Sequence, residues 1–341
     1  MSLLRTRPKL ISALAVLVLF AAGIAYQAIF GSSSTPGLHV EGNALVDGGK
    51  IVRLLGVDWS GTDDECARTG EPIGGRSDAA AIRALRAWKI DAVRVPLNAD
   101  CWLGLGAAYQ DAISAFVRRL HAAGLYVVLA LDRPGGPMPA EERAARFWRE
   151  VATAFKRDHA IVFDLYGEPH GVDWFCWRDG CPDPAGGPGL AGMQQLVDSV
   201  RGTGAKQPIL VGGLARADDL GEWLDRAPAD PAGQLVASFH ASTASPCSTA
   251  ACWGATLAPV AKRVPLVADV IGQKGCRPDL LERFATWADA HRVSYLGAAW
   301  KPGACAGGSL ISDYRGTPTR VGLALKRHLA RPAGRRSTVG G

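Results

Sequence analysis

The chain has 341 residues, enough for a barrel domain of roughly 250 residues and an appended segment. Hydrophobic residues make up 48% of it, which supports a large core, and the formal net charge is +6. Three of the basic residues are Arg5, Arg7 and Lys9; without them 35 basic residues face 32 acidic ones, too even a balance for a nucleic-acid-binding face.

Residues 1–9 form a basic N-terminus, and residues 10–30 contain no charge. Twenty-one helical residues at roughly 1.5 Å each reach about 31 Å, one hydrocarbon core. The basic flank predicts a transmembrane signal anchor with the N-terminus in the cytoplasm and the body on the extracellular face of the plasma membrane. Gly23-Ile24-Ala25 offers the alternative of a cleaved signal peptide and a secreted product. Residues 31–37, GSSSTPG, read as a linker.

Three short apolar runs at 38–40, 44–46 and 51–53 are broken by Gly-Asn and Asp-Gly-Gly, which predicts a small β-hairpin cap. Eight apolar runs follow, at 54–57, 92–96, 126–131, 161–165, 209–212, 236–239, 265–271 and 294–300. Between them, apolar residues recur at helical spacing, as in Ile82, Leu85 and Trp88, in Ile113, Phe116, Val117 and Leu120, and in Leu281, Phe284 and Ala288. A last helix is expected at 319–329, and 331–341 reads as a disordered tail. Eight strands alternating with helices predict a (β/α)8 TIM barrel over 38–330. Neither a G-x-G-x-x-G nor a Walker loop follows the early strands, so nucleotide chemistry is not expected.

All eight cysteines, Cys66, Cys101, Cys176, Cys181, Cys247, Cys252, Cys276 and Cys305, lie beyond the apolar segment. An even number in an exported chain predicts disulfides, although counting leaves the pairing open. No Cys-x-x-Cys with a nearby His suggests zinc, and no metal or organic cofactor is implied.

A barrel carries function at the C-terminal ends of its strands. The residues that fall there include Asp58 and Trp59, Trp102, Asp132, Glu168, His240, Asp269 and Trp300, with Trp177 soon after the fourth run. Glu168, in Leu165-Tyr166-Gly167-Glu168-Pro169-His170, sits where a glycosidase would need a proton donor. Its bland alternative is an ion pair with an arginine such as Arg94. The tryptophans suit stacking on sugar faces, or equally packing beneath long loops.

The stretches Leu55–Gly61, Ala92–Asn98, Ile161–Pro169, Ser294–Trp300 and Ile311–Tyr314 resemble, in order and spacing, the cellulase family, glycoside hydrolase family 5. The resemblance covers about 38–329 and implies hydrolysis of O-glycosyl bonds in extracellular β-linked polysaccharide. It assigns Glu168 as acid/base, Arg94 as the arginine supporting the nucleophile, His240 as the histidine near the acid/base, and Trp300 as the floor of the sugar subsite. In this fold, Cys66 with Cys101 and Cys276 with Cys305 would staple neighbouring rim loops, and Cys176–Cys181 and Cys247–Cys252 would close local ones.

Four positions depart from the family's pattern. Gly167 replaces the usual asparagine, Asp132 a histidine, Ser242 a tyrosine, and Val270 the nucleophilic glutamate. Asp269 is a candidate substitute nucleophile, although alternation along a strand turns it away from the pocket unless the strand bulges. Asp132 is a second candidate, as a base for inverting chemistry. The combined departures favour a glycan-binding pseudoenzyme; an active glycosidase with a relocated carboxylate, and a surface scaffold without catalysis, are the alternatives.

Overall fold

The computed structural model describes residues 37–132, 136–272 and 274–331. The predicted anchor at 10–30 and nearly all of the tail lie outside these. Among the described residues, no helix is long and apolar enough to cross a membrane.

Strands β1 (His39–Glu41), β2 (Ala44–Asp47) and β3 (Lys50–Val52) form the small antiparallel sheet that the turn residues predict. The barrel strands are β4 (Leu55–Asp58), β5 (Ala92–Leu97), β6 (Tyr126–Leu131), β7 (Ile161–Asp164), β8 (Ile209–Gly212), β9 (Leu235–Ser242), β10 (Leu266–Gly272) and β11 (Ser294–Ala298). They close in sequence order, every pair parallel. Parallel neighbours need crossovers. The predicted amphipathic segments supply them, with Ile113, Phe116, Val117 and Leu120 buried on helix Ala107–Ala122, and Leu281, Phe284 and Ala288 on Asp279–His291. The last helix is Arg320–Leu329, capped by the Thr319 hydroxyl on the amide of Gly322 at 3.1 Å. The eighth run is shorter than its apolar pattern, so Trp300 lies beyond the strand end.

Inside the barrel the side chains stack in layers two residues apart, as strand alternation requires. The lowest is apolar: Leu54, Ala92, Val128, Val162, Leu210, Val236, Val267 and Leu296 are buried together, closed from below by Leu38 and Leu45 of the cap. Full burial of such side chains contributes about 1.5–3 kcal/mol for each Val or Leu. The floor is therefore fixed by hydrophobic packing, and everything above it on the same strands is positioned by that layer.

The four disulfides are Cys66–Cys101, Cys176–Cys181, Cys247–Cys252 and Cys276–Cys305. The first joins the segment after β4 to that after β5, and the last joins the segments after β10 and β11. The pairing expected from the fold is the one found.

Candidate active site

Two residues above the apolar floor the interior becomes charged. Arg94 on β5, Asp164 on β7, Ser238 on β9 and Asp269 on β10 are all buried. One step higher, at the mouth, come Asp58, Asp132 and His240.

Arg94 is the hub. Its Nε donates to Asp164 Oδ2 at 3.2 Å and to Asp269 Oδ2 at 3.0 Å. Its Nη1 donates to Asp58 Oδ1 at 3.0 Å and Asp132 Oδ2 at 2.8 Å, and its Nη2 to Asp164 Oδ2 at 3.0 Å. One guanidinium thus serves four carboxyl groups, which cannot all be ionised in a water-poor interior. Burial, and then the charge of Asp269, push the Asp164 carboxyl well above the usual carboxylate range, and its Oδ1 has no hydrogen-bond partner. We place the shared proton on Asp164. Burial would also raise Asp269, but His240, Arg94 and the Ser238 hydroxyl together hold it below its ordinary value. Asp58 rises to about 6, because burial and the neighbouring Asp132 and Asp269 outweigh Arg94. For His240, burial is overcome by the charge of Asp269, so its pKa is raised. The His240 Nε2 to Asp269 Oδ2 separation is 3.6 Å, close enough for charge attraction and too long for a good hydrogen bond.

Simple alternation from the strand end turns Asp269 away from the pocket; the structure corrects this. β10 shifts register between Ala268 and Ile271 against β11, and between Val267 and Val270 against β9. Such a bulge lets two successive residues serve the same side. Asp269 stays on the interior side with Val267, and Val270 pairs in register with His240. Asp269 is fully buried, its two oxygens held by Ser238 and Arg94, so it lies beneath the mouth and has no path to a substrate carbon. The place at the mouth falls to Val270.

Gly167 and Asp132 pack against each other. A Cβ built on Gly167 would lie 2.2 Å from Asp132 Oδ1 and 2.8 Å from Arg94 Nη2. The Asp132 carboxylate fills the space that any side chain at 167 would need. Asp132 pairs with Arg94, and with its side chain 24% exposed it is the most accessible carboxylate of the Arg94 cluster.

Glu168 stands outside this cluster. Its side chain is 42% exposed, and it is paired not with Arg94 but with Arg216, whose Nη1 donates to Oε2 at 2.6 Å. Arg216 lies just past β8, and its amide donates to Pro169 O at 2.7 Å. It is the middle of three consecutive non-glycine residues with positive φ: Ala215 at 53°, Arg216 at 64° and Ala217 at 61°. Left-handed backbone costs roughly 1–2 kcal/mol per residue, whereas an exposed ion pair returns only about 0–1 kcal/mol.

The tryptophans pack rather than display their faces. Trp59, Trp102, Trp177 and Trp300 are each no more than 1% exposed. Trp59 lies against Phe116 and Tyr314, Trp102 among Tyr109, Phe147 and Phe155, and Trp300 edge-on to Trp88 outside the barrel. Trp177 donates to Gly212 O at 2.9 Å. The reading of these rings as packing beneath loops is the one the structure follows. Phe175, on the short helix Trp174–Asp179, is by contrast 63% exposed. On the β4/β11 side, a polar cavity of about 240 Å³ is lined by Ser60, Glu65, Arg68, Lys301 and Tyr314 among others.

Sequence reasoning missed two residues of the site, and only the first was within its reach. Asp164 is an acid inside an apolar run, a pattern that demands a buried partner. Arg216 carries no local motif that marks it.

A closed parallel barrel with carboxylates, a histidine and an arginine at and just beneath its C-terminal mouth defines a (β/α)8 protein with a polar site where such barrels carry function. The family profile described as Cellulase (glycosyl hydrolase family 5) matches residues 52–277, more than half of the chain, and the protein belongs to that family. No curated protein sequence matches it. Solved structures similar in fold include a β-glucanase from Saccharophagus degradans in complex with cellotetraose, 19% identical, with a TM-score of 0.72 over 87% of this chain and 94% of that one. The cellulase Cel5C_n is 19% identical, with a TM-score of 0.70 over 89% and 95% of the two chains. The catalytic domain of the Thermobifida fusca endoglucanase Cel5A is 18% identical, with a TM-score of 0.64 over 86% and 97%.

Proposed function

We propose that the protein binds a β-linked glycan at the barrel mouth and does not hydrolyse it by double displacement. The observation that carries this reading is the β10 end: Val270 stands in register with His240, and the nearby carboxylate, Asp269, is buried in the Arg94 cluster. A retaining glycosidase needs two carboxyl groups about 5–5.5 Å apart across the scissile bond, and valine supplies neither charge nor nucleophile. Glycan as the ligand class is supported by family membership and by the complex of a structural neighbour with cellotetraose. The basic residues before the apolar segment at 10–30 and the four disulfides support a site on the extracellular face, retained by that segment.

A second reading has one specific observation in its favour. Asp132 is partly exposed beside Gly167, the neighbour of Glu168, so a Glu168–Asp132 pair with Glu168 as acid and Asp132 as base is the arrangement that would still permit hydrolysis. The deciding measurement is turnover by the full chain on β-glucans, mannans and aryl β-glycosides, with Glu168→Ala and Asp132→Asn alongside. No turnover, with binding of a soluble oligosaccharide retained, is expected. Turnover abolished by both substitutions would overturn the non-hydrolytic reading and install the second.

A further inference from the structure

We propose that Arg216 is a specificity-determining residue that selects glycans carrying a carboxylate, that is, uronate units, on the β7/β8 side of the mouth; the inference rests on the glycan-binding reading above. Arg216 spends one of its donors on Glu168 and is 54% exposed. A guanidinium carries five N–H donors in a rigid planar fork whose natural complement is a carboxylate bound through two parallel bonds. Glu168 occupies a single prong, at Nη1. Among the described residues, Nε and Nη2 make no hydrogen bond or ion pair, which leaves two donors of the fork for a second anion.

The backbone around Arg216 gives independent support. Three successive non-glycine residues held at positive φ are strained, and the exposed pair with Glu168 is too weak to account for that strain. The turn is clamped at its base: Leu214 bridges Asp219, with the Asp219 amide donating to Leu214 O at 3.0 Å. A Cβ on Gly213 would lie 1.9 Å from Asp219 O, so the glycine permits this close return. Strain of this kind persists where surrounding structure holds a side chain in a functional position. What the turn holds in position is the guanidinium.

The bond from Trp177 to Gly212 O ties helix Trp174–Asp179 to the end of β8, four residues before Arg216. A uronate unit offers the guanidinium a carboxylate; a neutral sugar has none to offer.

The test is calorimetric titration of the full chain in detergent with two probes of equal length, a neutral β-1,4-linked gluco-oligosaccharide and the same oligosaccharide oxidised at C6 to glucuronate. A charge-assisted, two-bond contact predicts about tenfold tighter binding of the acidic probe, weakening as salt is added. Arg216→Ala should bring the two affinities within about twofold of each other, and Arg216→Lys, which keeps the charge without the fork, should fall between. Equal affinities in the unmodified protein, or a preference that survives Arg216→Ala, would overturn the assignment and leave glycan binding itself standing. Failure of both probes to bind a protein whose fold is intact by circular dichroism would remove the glycan reading, and this inference with it.

Discussion

Gly167 is the residue at which the site's history and its packing meet. Its missing side chain reads in isolation as the loss of a ligand-binding asparagine. The space it leaves is occupied by the Asp132 carboxylate, so a side chain cannot return at 167 without a clash while Asp132 stays where it is. Overpacking at a buried contact costs about 1–3 kcal/mol. Gly167→Ala should therefore destabilise the protein by an amount in that range, measured by denaturant unfolding, and should cost more than the same change at Gly254, where a Cβ meets nothing within 4 Å. Equal costs at the two positions would remove the argument that Asp132 and Gly167 are packed as a unit. Arg94 shows the complementary case: it and three of its partners, Asp58, Asp132 and Asp269, stand out in sequence as polar residues on or just past buried strands, while Asp164 and the gathering of all four carboxyls on one guanidinium do not.

The eight strands and the helices between them follow from apolar periodicity, because a strand buried on both faces must be apolar and its crossover helix must carry a stripe. The ends of the elements do not follow. On β10 a register shift decides that Asp269 stays buried below while Val270 reaches the mouth, and a bulge leaves no mark in hydrophobic pattern. After β8 the chain enters a left-handed turn through alanines and an arginine, where residue type argues against it. The fold was thus readable from periodicity, and the candidate site only in its residue list. The buried tryptophans are the plainest instance, since a tryptophan at a strand end is equally well explained by packing and by display until burial is known. The rim loops also differ in how they are held. Cys66–Cys101 spans a sequence separation of 35, and Cys176–Cys181 only 5. On loop-closure entropy the first stabilises by about 4 kcal/mol and the second by about 2 kcal/mol. Replacing each pair by serines should reproduce that order in equilibrium unfolding without reductant. A larger loss from the short loop would mean that native-state contacts of helix Trp174–Asp179, and not chain entropy, dominate there.

At the scale of the whole molecule the charged interior layer should make stability depend on pH in an unusual direction. Most folded proteins hold their carboxylates below the ordinary range and lose stability on acidification. Here Asp58 is raised from 3.8 to about 6, chiefly by burial, and Asp63 is raised to about 6 for the same reason with Asp132 adding to it. A carboxyl whose folded value is raised binds more protons when folded. Its contribution is complete below pH 3.8 and is lost as pH rises through about 6. The carboxylates held low, Asp158, Asp230, Asp269 and Asp289, act at the other end, losing their contribution only as pH falls below the ordinary range. Between pH 4 and 7 the raised groups govern, so stability should fall as pH rises across that window. For Asp58 alone the displacement of about two units corresponds to ~3 kcal/mol. Asp58→Asn keeps an oxygen acceptor for Arg94 Nη1 and cannot titrate. Urea unfolding at pH 4, 5, 6 and 7 should show a shallower decline for this variant, the difference between the two curves growing toward pH 7. Parallel curves would mean that Arg94 holds Asp58 ionised throughout, and that the surplus protons of the cluster reside on Asp164 alone.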